Sequence, residues 1–152
     1  MPNDKLNEKA ALEVLNEILE LELAGVVRYL HYSLMIFGHA RIPIVAWMRK
    51  QSDEALAHAA AAGEHVTTLG GHPSLKIGKL LETQRHNIDE ILHEALEHEQ
   101  DGVARYQKLL ELVQGRSVML EEYARRMIHD EEFHLSEIKK MLRPPGTLDR
   151  PR

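Results

Sequence analysis

Two stretches of this chain, Glu22-Leu-Ala-Gly25-Val26-Val-Arg28-Tyr29 and Glu99-Gln-Asp-Gly102-Val103-Ala-Arg105-Tyr106, share the pattern E-x-x-G-V-x-R-Y and lie 77 positions apart. The same offset carries Asp53-Glu54 onto Asp130-Glu131, and a histidine follows each pair, His58 and His134. Each half thus offers one glutamate early and an Asp-Glu pair 32 residues later. The chain reads as two copies of one unit.

The unit is a helical hairpin. Period-2 runs of β-branched and aromatic residues never develop, whereas apolar residues recur at i, i+3 and i+4 throughout. The pattern predicts a first helix from about Asn7 to Phe37, ended by Gly38. A second opens at Ile42-Pro43, with proline in its first turn, and stops at Gly70-Gly71. A third ends near Gln114-Gly115, and a fourth starts after Ser117 and stops at Pro144-Pro145. The first and last connections are only a few residues long, so each joins antiparallel neighbours, while the middle one is longer. The expectation is an all-α four-helix bundle, two antiparallel hairpins joined by a long crossover, filling residues 1–146, with a flexible tail over 147–152 and no fifth helix.

Helical phase places the repeated glutamates on buried faces. The first helix carries Leu12, Leu15, Leu19, Glu22, Val26 and Tyr29 on one stripe, and the second Ile44, Trp47, Gln51, Glu54 and His58. The third carries Leu92, Ala95, Glu99, Val103, Tyr106 and Leu110, and the fourth Leu120, Ala124, Met127, Glu131, His134, Ile138 and Met141. A single glutamate on such a stripe is ordinarily a snorkelling residue or half of an ion pair, and a lone histidine a satisfied core residue. Four glutamates in register, two of them with a histidine on the same face, are a different matter. Buried carboxylates are costly without a cation, and two metal ions bridged by carboxylates and capped by imidazoles answer that cost. One Glu from each of two helices, with a Glu and a nearby His from each of the others, is the arrangement of dinuclear carboxylate bundles.

Composition narrows the alternatives. The chain has 152 residues, a net charge of −5, ten histidines and no cysteine. Disulfides, thiolate metal sites and a catalytic thiol are excluded. The acidic balance argues against sequence-independent nucleic-acid binding. No apolar run approaches the ~20 residues a membrane span needs, and the N-terminus shows no apolar leader, so a cytoplasmic location is expected.

The residues quoted above resemble the ferritin-like superfamily, most closely its bacterioferritin branch. The likeness covers about residues 8–143. It rests on Glu22 seven positions before Tyr29, on Leu69-Gly-Gly71-His-Pro73, on Gly78-Lys-Leu80, on Glu99-x-Asp-Gly102 and on Asp130-Glu-Glu-x-His134. The resemblance implies a first helix antiparallel to the third. It also implies a ferroxidase that oxidises Fe2+ with O2 or H2O2, for iron detoxification or storage, at a centre of two iron ions per subunit. Manganese or a mixed Mn/Fe pair would accept the same donors. Carried over residue by residue, the ligands are Glu22, Glu54, His58, Glu99, Glu131 and His134, with Tyr29 hydrogen-bonding beside them. A homo-oligomer, dimer or larger, is expected.

The chain departs from the family pattern in three places. His58 follows Glu54 by four residues, not three; i+3 and i+4 lie at about −60° and +40° from residue i, so a regular helix presents both on one face. A π-bulge absorbing the extra residue is the alternative. Where haem-binding bacterioferritins carry a methionine there is Ala55 or Leu56, so no haem is expected. The fifth helix that lines the channels of cage-forming relatives is also missing from the pattern. Two other functions fit the same residues: a rubrerythrin-like peroxide reductase supplied by an outside electron donor, and a non-enzymatic, metal-stabilised binding or assembly module. Of the remaining histidines, His65 reads as a neighbour of the ligands or a site where metal enters, and His98 as an exposed residue. His31, His39, His72, His86, His93 and His129 carry no telling spacing. Asp53, Asp130 and Glu132 are expected at the surface or just outside the ligands, Arg28 and Arg105 paired with acidic neighbours or on a dimer surface, and Tyr32 and Trp47 in packing.

Overall fold

The computed structural model describes residues 5–148. Among these are four α-helices and no strand: α1 (Glu8–Leu34), α2 (Arg41–Thr68), α3 (Ile88–Val113) and α4 (Val118–Leu142). Three helices open on side chains that occupy otherwise orphaned N–H groups. Asn7 accepts from Ala10, Asn87 from Asp89 and Glu90, and Ser117 from Leu120. Helix α1 stops at Leu34, short of the expected Phe37, because the Met35 N–H turns back to the Tyr32 carbonyl. Of the tail expected over 147–152, Thr147 closes a turn on the Pro144 carbonyl, and residues 149–152 lie outside the described part. No helix among the described residues is long and apolar enough to cross a membrane.

Contacts between side chains fix the helix directions. Tyr29 meets Glu99 while Tyr106 meets Glu22, so α1 and α3 are antiparallel. His58 meets Glu131 while His134 meets Glu54, so α2 and α4 are antiparallel too. Because α1 and α2 form a tight hairpin, residues 69–87 must return along the whole bundle before α3 can begin. This crossover climbs α1. Asn16 is hydrogen-bonded both to the His72 carbonyl and to the Ser74 N–H, the Gly78 N–H donates to the Glu20 carbonyl, and the Phe37 and His86 rings meet edge to face.

The core is split into two apolar layers. Leu15, Ile18, Val66, Leu109, Val113 and Leu120 fill one end, and Ile36, Met48, Ile91, Leu92 and Ile138 fill the other. Each such side chain contributes about 1.5–3 kcal/mol on burial. Together they offset a polar belt between them, where an unpaired ion costs several kcal/mol.

One stripe differs from the sequence expectation. In α2 the buried face is Val45, Met48, Gln51, Ser52, Ala55, Ala59, Ala62 and Val66, while Ile44, Trp47, Glu54 and His58 are only partly covered. The helix is rotated by about one residue, roughly 100°. Ala55, Ala59 and Ala62 face inward, where small side chains let α2 lie close to α1, and Glu54 and His58 line the groove toward α4. Helix α2 is α-helical throughout, so His58 comes from a regular turn and not from a π-bulge.

Candidate metal centre

The polar belt gathers all six side chains named from the sequence. Glu22 and Glu99 come from α1 and α3, and Glu131 from α4, all buried. His58 Nδ1 lies 3.0 Å from Glu131 Oε1 and 3.6 Å from Glu22 Oε1. His134 Nδ1 lies 3.2 Å from Glu131 Oε2, and its Nε2 lies 3.0 Å from Glu54 Oε2. The two imidazoles stack with an interplanar angle of 17°. Glu54 sits at the rim, with a side chain 33% exposed and Lys50 at 3.9 Å.

Charge in this belt is unevenly held. Burial pushes the Glu22 carboxyl up, and burial together with the neighbouring Glu131 pushes Glu99 well above the usual carboxylate range. Burial would lift Glu131 as well, but hydrogen bonds with His134, His58 and Glu99 hold it well below. Burial also opposes charge on His58, yet Glu131 and Glu22 push its imidazole up to about 10.

The donor set itself tests whether metals fit. Two groups offer donor atoms within 4.8 Å of one another, Glu22–His58–Glu131 and Glu99–Glu131–His134, and Glu131 belongs to both. Two overlapping three-donor groups sharing one carboxylate suit a pair of divalent ions, and carboxylate oxygens with imidazole nitrogens are donors for Fe, Mn or Zn. Glu54 closes the open side.

Each half orients the other. Tyr29 on α1 donates to Glu99 Oε1 on α3 at 2.5 Å, and Tyr106 on α3 donates to Glu22 Oε1 on α1 at 2.9 Å. Both phenols are raised well above the ordinary tyrosine range, first by burial and then by the carboxylates they serve, so they act as donors. Tyr106 was read only as a stripe residue. The repeat contained the signal, because Tyr106 stands to Glu99 as Tyr29 stands to Glu22.

His98 requires a correction. Expected at the surface, it is buried, and Arg28 Nη1 lies 3.3 Å from its Nδ1. Burial and the Arg28 charge push it down to about 4. The antiparallel α1–α3 contact turns His98 inward over Gly25, a face that its position beside Glu99 did not reveal. Arg28 is likewise buried, and also donates to the Tyr32 hydroxyl at 2.9 Å. Arg105 instead pairs at the surface with Glu17. His65 does not reach the carboxylates. It lies against the Tyr123 ring, which meets Tyr106 edge to face. Tyr32 and Trp47 pack edge-on against Tyr29, each with ring centroids 6.1 Å away.

The match to a known family follows the same bundle. A model of the ferritin-like domain matches residues 12–144. The chain belongs to the ferritin-like family. No curated protein matches the sequence of this ferritin-like protein. Among solved structures, it is similar to a ferritin-like, diiron-carboxylate protein of Bacillus anthracis str. Ames, at 26% identity and a TM-score of 0.85 over 94% of this chain and 100% of that one. It has the fold of the dodecameric thioferritin, a bacterioferritin-related protein, of Bacteroides fragilis, at 20% identity and a TM-score of 0.85 over 91% and 87% of the two chains. It also has the fold of Rhodobacter capsulatus bacterioferritin, described with a metal-free dinuclear site and haem iron, at 22% identity and a TM-score of 0.78 over 91% and 86%.

Proposed function

We propose that this ferritin-like protein is a ferroxidase that binds two Fe2+ between its four helices and oxidises them with O2 or H2O2, in iron detoxification or storage. The observation that carries the proposal is Glu131, one buried carboxylate whose two oxygens face two different imidazoles and which belongs to both donor groups. The likeness to a diiron-carboxylate protein supports iron over other metals, and manganese or a mixed pair would use the same donors.

In this reading Glu22 and His58 would hold one metal and Glu99 and His134 the other, with Glu131 shared and Glu54 available to both. The two Fe2+ are substrate: each gives up one electron, and with two protons the pair reduces O2 to H2O2, or H2O2 to two waters. Tyr106 and Tyr29 fix the orientation of Glu22 and Glu99, the kind of outer hydrogen bond whose loss costs about 10–100-fold in metal affinity or activity. His58, raised to about 10 in the metal-free site, would give up its proton as metal enters, while Glu131 is already ionised there. No haem is part of the proposal: Ala55 and Leu56 offer no ligating atom, and Met48 of α2 is fully buried in the core. Self-association, as a dimer or larger, is included. Val27, Leu30 and Leu34 form an exposed apolar row on α1, and Val27 shares a surface cavity with the exposed Leu80 of the crossover.

Anaerobic titration with Fe2+ followed by air tests the proposal. About two irons per chain and a ferric absorbance that develops on oxidation are expected from a dinuclear carboxylate site. A different stoichiometry, or binding without oxidation, would overturn it, the latter outcome in favour of a metal-stabilised module. Faster turnover with H2O2 than with O2, sustained by an added reductant, would instead mark a peroxide reductase.

A further inference from the structure

The two halves of the bundle are alike in sequence but differ at the residue that precedes Glu22 and Glu99 and lies over the glycine of the other half. Over Gly102 of α3 lies Leu21 of α1, whose Cδ2 is 3.5 Å from where a glycine Cβ would stand. Over Gly25 of α1 lies His98 of α3, whose Nε2 is 2.9 Å from the corresponding point. Leu21 and His98 are separated by the repeat offset of 77 and each precedes a glutamate of the centre. The fold therefore asks only for an apolar filler at this place. One half supplies it and the other buries an imidazole.

The partners of that imidazole are also confined to one half. Arg28 approaches Nδ1, and Tyr32 accepts two hydrogen bonds from the same guanidinium. In the other half Arg105 lies at the surface, and Leu109 stands where Tyr32 does. A guanidinium can only donate, so Nδ1 of His98 must be the acceptor and the ring proton must sit on Nε2. No acceptor for Nε2 occurs among the described residues. The atom is not fully enclosed, so a small molecule could reach it as an acceptor. His98 lines the same cavity as Glu22, Glu54, Glu99 and Glu131.

We propose that His98, held in its Nε2–H form by Arg28, donates a hydrogen bond to the small oxygen ligand admitted to the centre, dioxygen or peroxide. This rests on reading the site as a two-metal centre open to an oxidant. His98 is then a catalytic residue, since it touches the oxidant, and Arg28 is a positioning residue that acts through it. The asymmetry directs the oxidant to the α1–α3 side of the cavity.

The test uses the full-length protein with azide as the probe ligand. In the metal-free protein, long-range 1H–15N spectra should show His98 as the Nε2–H tautomer, and Arg28→Met should abolish that preference. In ferric protein, followed by the azide absorbance band, His98→Leu should weaken azide binding about tenfold or more, as expected for losing a hydrogen bond to a charged group. His98→Gln keeps an N–H close to the same place and should restore affinity to within about threefold. Leucine is the residue of the other half, so the fold accommodates it. Should His98→Leu still fail to fold, Arg28→Met keeps the ring and must itself weaken azide binding. Metal counts on the parent separate the two readings. A parent that binds no metal pair overturns the ferroxidase proposal. A normal pair with an Nδ1–H tautomer, with azide affinity unchanged in His98→Leu, or with affinity not restored by His98→Gln, overturns this inference alone.

Discussion

At the scale of single residues, glycine sets the distance between α1 and α3. Gly25 and Gly102 occupy equivalent places in the repeat, yet the space above them differs because His98 is closer than Leu21. An alanine Cβ at position 25 would meet His98 Nε2 at 2.9 Å, whereas at position 102 it would meet Leu21 Cδ2 at an ordinary 3.5 Å. Alanine is favoured over glycine inside a helix by about 1 kcal/mol. Gly102→Ala should therefore be neutral or stabilising by up to about 1 kcal/mol in chemical denaturation. Gly25→Ala should lose that gain and be destabilising by roughly 1–3 kcal/mol through overpacking, with the His98 ring signals displaced in NMR spectra. Equal effects of the two substitutions would show that His98 moves freely. The tyrosines make a related point: each serves the carboxylate of the other half, so neither hairpin alone orients its Glu22 or Glu99.

At the scale of elements, the crossover is held by a few polar and ring contacts more than by apolar burial. Residues 69–87 bury little apolar surface, and Leu75 is 96% exposed. Gly78 is what lets the segment lie on α1: its N–H donates to the Glu20 carbonyl at 2.8 Å, and a Cβ there would also stand 2.8 Å from that oxygen. Backbone cannot yield as a flexible side-chain end does. Gly78→Ala should lift the crossover and destabilise the protein by about 1–3 kcal/mol. Limited proteolysis should cut the variant faster between residues 69 and 87, while a tolerant crossover would leave the cleavage rate unchanged.

At the scale of the whole molecule, the belt of carboxylates couples stability to metal and to pH. Without metal, His58 is charged because Glu131 and Glu22 surround it, with its imidazole raised to about 10. A group whose folded value is raised stabilises fully below its ordinary value, near 6.5, and that contribution is lost as pH rises through the folded value. Glu22 and Glu99, also raised, act in the same sense, since ionising them in the belt is unfavourable. The melting temperature of the metal-free protein should thus fall between about pH 6.5 and pH 10. Metal-loaded protein should melt higher throughout, by an amount that grows with free metal and corresponds to about 2.7 kcal/mol at a hundredfold excess over Kd. Chelator should remove the difference. A metal-free protein whose melting point rises over that range would contradict the charge arrangement described here.

Much of this protein was legible along the chain. Helix number, the hairpin pairing, the long crossover and the grouping of Glu22, Glu54, His58, Glu99, Glu131 and His134 in one belt follow from apolar periodicity and a repeat offset. Both are local: a helix of fixed pitch places i, i+3 and i+4 on one face whatever surrounds it. What periodicity cannot state is which neighbour that face meets. Only the packed bundle placed Ala55, Ala59 and Ala62 of α2 inward and left Glu54 at the rim, turned His98 from the surface to the interior, and gave Tyr106 to Glu22 and Tyr29 to Glu99. The places of His98, Tyr29 and Tyr106 depend on the antiparallel contact of α1 with α3, made between residues some 70 to 84 positions apart. Burial and charge at each site are set by that contact, because desolvation and Coulomb interaction are properties of the assembled neighbourhood and not of the residue.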